Sequence, residues 1–186
     1  MFILSITILC ILIALARGGR LANLALLPVR FIGLLFLPFV LQLIAFSPIG
    51  DRLVLGIPLA RYLYTVSLGV AVIVLWLNRK LPGVVLITLG LCLNFLVIAL
   101  NGGFMPVSAS AREFAGLPPL TGRDNNVIPL TDSSWLPWLS DTLPLPAFVP
   151  FANVFSPGDL LIVIGGIIFT QRALVPPQSG ATKPLN

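Results

Sequence analysis

Carboxylates are the groups in this sequence best suited to acid–base chemistry, because the 186-residue chain has six Asp or Glu residues and no histidine. Two carboxylates held close together can share one proton and activate water, as in aspartic proteases. Asp159, Asp141 and Asp132 are the candidates for such catalysis. Asp159 also follows Ser156 and Pro157 in a pattern typical of a helix start, so a structural role competes with the catalytic one.

The sequence predicts no metal site and no cofactor. Without histidine the chain lacks the commonest metal ligand, and no phosphate-binding glycine loop is present. Cys10 and Cys92 lie in separate apolar runs, which is typical of buried thiols rather than of a nucleophile or a disulfide. We therefore expect a structural or binding role more than an enzymatic one.

A second group of candidate residues is polar and lies near one end of otherwise apolar segments. These possible ligand-binding residues are Gln42, Arg61, Tyr64, Asn94, Asn101, Gly102 and Gly103. Polar groups surrounded by hydrocarbon need partners inside the protein. They can hold helices together, which is the simpler interpretation, or they can line an outward-opening pocket for a lipid headgroup or a peptide.

The elements that must position these residues are apolar helices. Hydrophobic residues make up 58% of the chain and charged residues only 9%, whereas a soluble domain usually has about 25% charged residues. Five apolar segments come close to the length of about 20 residues that crosses a bilayer: 1–16, 29–46, 58–77, 82–100 and 157–174. The predicted fold is an all-α membrane protein, a five-helix transmembrane bundle forming one domain over 1–175, followed by a flexible cytoplasmic tail, 176–186.

Residues 101–156, which we call the lid segment, form the one large piece outside the predicted spans. Eight prolines fall within it, and proline disfavours long helices and central strands. Trp135 and Trp138 suit the interface between membrane and water. We predict a Pro-rich outer lid that folds back onto the helices.

Charge predicts the orientation of the chain in the membrane. With the N-terminus outside, the inner segments carry only basic residues: Arg17, Arg20, Arg30, Arg79, Lys80, Arg172 and Lys183. All six acidic residues then fall outside, in agreement with the positive-inside rule. The sequence thus predicts a multi-pass protein of the bacterial cytoplasmic membrane, with the N-terminus outside and the C-terminus inside. The net positive charge does not indicate nucleic-acid binding, because no cluster of basic and aromatic residues accompanies it.

Several motifs together resemble a bacterial integral-membrane family known only as a domain of unknown function. They are R-G-G-R-L at 17–21, N-G-G-F-M-P-V at 101–107, Asp141 with Pro144 and Pro146, and N-V-F-S-P-G-D at 153–159. The resemblance covers nearly the whole chain and implies no activity. Members of that family often carry a histidine in the outer segment, and this chain has none.

A second, local similarity is to lipoprotein signal peptidases, which are small membrane aspartic proteases. The run F-A-N at 151–153 leading to Asp159 resembles their F-N-x-A-D stretch, but the spacing is longer here and their N-x-x-D-R motif is absent. The favoured function is a non-catalytic accessory or scaffold subunit with the bilayer and other membrane subunits as partners. The alternative is an outward-facing protein that binds a lipid headgroup or lipopeptide, or an aspartate-dependent hydrolase.

Overall fold

Helices dominate the structure, a computed structural model that describes residues 2–50, 52–54, 57–124 and 126–175. The described part is mostly helical, with 58% helix. Its α-helices are α1 (Phe2–Ala16), α2 (Ile32–Ala45), α3 (Leu59–Leu77), α4 (Val84–Leu100), α5 (Ala109–Phe114) and α6 (Pro157–Leu174). Short 3-10 helices cover Leu21–Leu26 and Pro137–Leu139. The predicted tail, 176–186, lies outside the described residues.

Each of the five predicted apolar segments contains an α-helix, but among the described residues only two of these helices are long and apolar enough to cross a membrane. Those two are α3 and α6, whereas α1, α2 and α4 are shorter. Helices α2 and α4 begin two or three residues later than the predicted segments, and the backbone conformation explains why. Phe31 has a left-handed φ of 55° immediately before α2, and Gly83 has a φ of 77° immediately before α4.

The five longer helices contact one another in the order α2, α3, α4, α6 and α1. At one end of these helices, the segments that carry basic residues lie next to one another. The amide of Arg20, after α1, donates to the carbonyl of Leu174 at the end of α6 (3.0 Å). The amide of Arg30, before α2, donates to Asn78 Oδ1 at the end of α3 (2.7 Å). The helix ends that carry the basic residues therefore lie on one side of the structure, which we call the basic side.

Helices α4 and α6 make the most extensive contact in the structure, and glycine permits it. A Cβ at Gly165 of α6 would lie 2.7 Å from the carbonyl oxygen of Gly83 and 2.8 Å from the amide nitrogen of Ile87. A Cβ at Gly90 of α4 would collide with the carbonyl oxygen of Gly158. The two backbones thus touch near both ends of the contact.

The lid segment is built from short elements, as its prolines predict. Strand β3 (Met105–Val107) pairs in parallel with β4 (Val127–Pro129), and β5 (Leu143–Pro144) pairs antiparallel with β6 (Val154–Phe155). Between α2 and α3, strands β1 (Leu53–Val54) and β2 (Ile57–Pro58) form an antiparallel pair.

Two small apolar clusters fix the lid segment. Val107, Ala111, Ala115 and Val154 form a core within it. Met105 packs in a second cluster with Leu68 of α3 and with Val97 and Ile98 of α4. The lid segment thus contacts the ends of α3 and α4 that are remote from the basic side.

We expect Gly165→Ala to lower the free energy of unfolding by about 1–3 kcal/mol, because the added methyl overpacks a contact between two backbones. The neighbouring change Gly166→Ala is the matched control, since no atom lies within 4 Å of a Cβ built there. That control should be stabilising by about 0.5–1 kcal/mol, the usual gain for alanine over glycine inside a helix. Thermal unfolding of both variants in detergent measures the difference, and equal shifts would contradict the close α4–α6 approach.

Candidate functional site

A cavity of about 230 Å³ lies between the lid segment and the first turn of α6. We call it the carboxylate cavity, because two of the three predicted catalytic aspartates line it. Its lining residues are Val107, Arg112, Asn126, Val127, Asp141, Asn153, Val154, Phe155 and Asp159.

Asp159 is held by the start of α6. Ser156 is the N-cap, and its Oγ accepts a hydrogen bond from the Asp159 amide (3.0 Å), while Asp159 Oδ2 accepts one from the Ser156 amide (3.1 Å). This reciprocal capping box satisfies two amides that the helix itself leaves unpaired. The helix start predicted from Ser156, Pro157 and Asp159 is confirmed.

Asn94 of α4 extends this network to a second helix. Its Nδ2 donates to Asp159 Oδ1 (2.8 Å), and its Oδ1 accepts from Ser156 Oγ (2.8 Å). Asn94 and Ser156 are both buried, so the bonds are shielded from competing water. Asp159 Oδ1 therefore joins α6 to α4, and Asp159 Oδ2 accepts the capping hydrogen bond at the start of α6.

Asp141 reaches the same cavity from a different direction. Its amide donates to the carbonyl of Pro106 (3.0 Å) and its carbonyl accepts from the amide of Ser108 (2.9 Å), which places it beside β3. Its Oδ1 is buried and has no hydrogen-bond partner within the described residues. Burial raises the pKa of Asp141 from 3.8 to about 8, and the negative charge of Asp159 adds to the shift. At neutral pH Asp141 is mostly protonated.

Asp132, the third predicted catalytic residue, lies elsewhere. It is exposed in the turn after β4, and it does not line the carboxylate cavity. The structure therefore brings together Asp141 and Asp159 and leaves Asp132 apart.

Some of the predicted ligand-binding residues surround a second, much smaller cavity. Tyr64 and Arg61 of α3 line it together with Gly103. The Tyr64 hydroxyl accepts a hydrogen bond from Asn126 Nδ2 (3.1 Å), and the Arg61 guanidinium lies 4.5 Å from the centre of the Phe104 ring. Since Asn126 lines both cavities, it connects the polar end of α3 to the two carboxylates.

The remaining predicted ligand-binding residues have structural partners. Gln42 Nε2 donates to Ser67 Oγ (3.1 Å) and joins α2 to α3. Asn101 ends α4 and exchanges hydrogen bonds with the backbone of Trp135 (2.9 and 3.0 Å), which fastens the lid segment to the helix. Gly102, which immediately follows Asn101, has a left-handed φ of 69° in the turn after α4.

No group of three or more His, Cys, Asp or Glu residues that could hold a metal ion occurs in the part of the chain that the structure describes. The chemistry available in the carboxylate cavity is therefore that of two aspartates, one guanidinium and two amides. Such groups can form charge-assisted hydrogen bonds to a polar ligand.

Comparison with known proteins gives a family for the chain. The model of a family of unknown function, DUF5317, matches residues 26–171. The chain belongs to this family. It is similar to an uncharacterized protein of Thermotoga maritima, 33% identical over 112 residues, which cover 55% of this chain and 63% of that protein. No solved structure matches. The resemblance inferred from the motifs to an uncharacterised family is confirmed.

Three polar residues of the carboxylate cavity are not among the candidate site residues predicted from the sequence of this DUF5317 chain: Arg112, Asn126 and Asn153. Arg112 belongs to α5, Asn126 immediately precedes β4, and Asn153 immediately precedes β6. Asn153 belongs to two motifs in the sequence, at 151–153 and 153–159, but neither motif indicates that it lies near Arg112 or Asn126.

The raised pKa of Asp141 predicts a pH-dependent stability. The folded protein retains the Asp141 proton up to about pH 8, whereas the unfolded chain releases it near the ordinary value of 3.8. Stability contributed by this site is therefore complete below about pH 4, declines as the pH rises, and is lost above about pH 8. Thermal unfolding of the detergent-purified protein at a series of pH values measures the decline.

The variant Asp141→Asn should flatten this pH dependence and melt at a higher temperature than the wild type at about pH 8, because an amide stays neutral. Asp132→Asn is the matched control, since Asp132 is exposed, and it should leave the profile unchanged. If the stability of Asp141→Asn fell with rising pH as steeply as that of the wild type, a group other than Asp141 would be responsible.

Proposed function

We propose that this member of DUF5317 is a multi-pass protein of the bacterial cytoplasmic membrane that acts as a small, non-catalytic accessory or scaffold subunit. In this proposal all five long helices cross the bilayer as one bundle. The N-terminus and the lid segment lie outside, and the C-terminus lies inside.

The main support is the apolar surface of the helices. On α2, Ile32, Phe36 and Phe39 are more than 60% exposed, and on α1 Leu9 and Leu12 are more than 55% exposed. Side chains of this kind are stable in contact with lipid or with another membrane protein, and they are unfavourable in water over so large an area. The shorter helices fit a bilayer if it thins locally or if flanking apolar residues extend the span.

The distribution of charge supports the orientation. Arg17, Arg30, Arg79 and Arg172 belong to the helix ends of the basic side, whereas Asp141 and Asp159 lie at the opposite ends of the helices. Placing the basic side in the cytoplasm satisfies the positive-inside rule.

The accessory role is supported by the hydrogen bonds of the polar residues. Asn94, Gln42 and Asn101 each join one helix to another element. Asp159 uses both carboxylate oxygens in helix capping and in the bond to Asn94. An aspartate-dependent hydrolase needs that carboxylate for water instead, so the capping contacts favour the structural role.

Labelling of single cysteines tests the orientation. In a chain lacking Cys10 and Cys92, we expect Ser133→Cys in the lid segment to react with a membrane-impermeant maleimide in intact spheroplasts. Lys80→Cys on the basic side should react only after permeabilisation. Both positions are exposed, so accessibility of the side chain does not limit the reaction, and the reverse pattern would overturn the orientation.

Site-specific photo-crosslinking in cells tests the accessory role. A photoreactive residue at Phe39 of α2 should give a discrete protein adduct, because this face is exposed and available to a partner subunit. The buried position Val97 is the control and should give none. Absence of any protein adduct at Phe39 and at Leu12, together with a lone monomer in mild detergent, would contradict a scaffold function.

A further inference from the structure

The carboxylate cavity contains more polar groups than the packing of the lid segment requires. Asp159 and Asn94 have structural roles, but Arg112, Asn126 and Asn153 also line or reach this space, and Asp141 has a buried oxygen without a partner in the described residues. A buried polar atom left without a partner destabilises the folded protein, because it has lost its hydrogen bonds to water. Such a cost is typical of a site that is completed by a ligand.

The charges in the cavity indicate the ligand chemistry. Asp141 and Asp159 are close enough for the charge of Asp159 to raise the pKa of Asp141, and no described cation lowers that pKa. An ammonium group placed beside them would supply the missing positive charge and donate up to three hydrogen bonds.

Arg112 supplies a charge of the opposite sign in the same cavity. Its Nε and Nη2 donate to the carbonyl of Pro118 (3.0 and 2.7 Å). A guanidinium beside the cavity disfavours a ligand that is only cationic and favours one that also carries an anion. The amides of Asn126 and Asn153 add donors and acceptors between the two charged regions.

We propose that the carboxylate cavity binds a small zwitterionic amine, with its ammonium group beside Asp141 and Asp159 and its anionic group at Arg112. The cavity, at about 230 Å³, is below the usual range of about 300–1,000 Å³ for drug-sized ligands. It therefore suits an aminoalkyl phosphate the size of a phospholipid headgroup rather than a lipopeptide. Two sources share this chemistry: a free zwitterion and the headgroup of an ethanolamine phospholipid. The lipid source rests on the proposed membrane location, and the free zwitterion does not.

Binding of the ammonium group is coupled to a proton. The titratable and charged groups that face Asp141 are Asp159 of α6, Arg112 of α5 and Tyr64 of α3, whose hydroxyl interacts electrostatically with both aspartates. Burial raises the pKa of Asp141 to about 8, so an ammonium group that binds beside it displaces the Asp141 proton to solvent. The affinity should rise up to about tenfold per pH unit below pH 8 and level off above it.

Calorimetric titration of the full chain in detergent tests the proposal with a matched pair of headgroups. Glycerophosphoethanolamine should bind, and glycerophosphoglycerol, which carries the same phosphodiester without the amine, should bind at least about tenfold more weakly. Both phosphodiesters keep one negative charge across the pH range used, so the pH dependence reports on the protein. Vesicles of phosphatidylethanolamine and of phosphatidylglycerol form the second arm, which separates a lipid headgroup from a free zwitterion.

Variants of the residues that line the carboxylate cavity test whether the ligand binds there. Asp141→Asn should weaken binding of glycerophosphoethanolamine about tenfold or more and abolish its pH dependence, and Arg112→Gln should weaken it by a similar factor without changing the pH dependence. Asp132→Asn and Glu113→Gln remove exposed charges that do not line the cavity, and they should bind like the wild type.

Several results would overturn the proposal. One is equal affinity for the two headgroups in both arms. Another is wild-type binding by both Asp141→Asn and Arg112→Gln. Binding only to phosphatidylethanolamine vesicles would support the site and assign it to a lipid. Because the soluble headgroups are tested in detergent, loss of binding there is distinguishable from an error in the membrane topology, which the cysteine labelling measures separately.

Discussion

The contact between α4 and α6 determines how the rest of the structure is arranged. Glycines at positions 90 and 165 let the two backbones touch, and Asn94 then reaches both Asp159 and Ser156 at the start of α6. A larger residue at either glycine would separate the helices and leave Asn94 out of reach. The capping box, the position of α6 and one wall of the carboxylate cavity all depend on this approach.

The same contact explains why the two aspartates, Asp141 and Asp159, differ in their hydrogen-bond partners. Asp159 lies at a helix N-terminus, where one carboxylate oxygen accepts a hydrogen bond from Asn94 and the other accepts one from the Ser156 amide. Asp141 lies beside β3, has a buried oxygen without a partner in the described residues, and is close to the charge of Asp159. Burying a second charge there is unfavourable without a cation, so the pKa of Asp141 is raised. One carboxylate serves the fold, and the other is available to a ligand.

Local features of the structure could be predicted from the sequence, and long-range ones could not. The capping box at Ser156, the turn at Gly102 and the short elements of the lid segment follow from residues that are neighbours in the chain. The choice between Asp132 and Asp141 depended instead on the pairing of residue 141 with Val107, far away in sequence. Asn126 and Asn153 join the cavity through the pairing of β4 and β6, for which no pattern in the sequence gives a register.

The apolar middle of α6 separates the polar groups of the carboxylate cavity from those of the basic side. On the basic side, Asn23 donates to the carbonyl of Leu174 and Gln171 donates to the carbonyl of Cys10, so these side chains close the ends of α1 and α6. Between that side and the cavity, Gly83 and Gly165 bring the backbones of α4 and α6 into contact, and Thr88 bonds to a carbonyl of its own helix. A conducting path needs polar groups along its whole length, whereas residues 160–169 of α6 carry no polar side chain. The carboxylate cavity lies beyond this apolar stretch, where polar residues of the lid segment meet the first turn of α6.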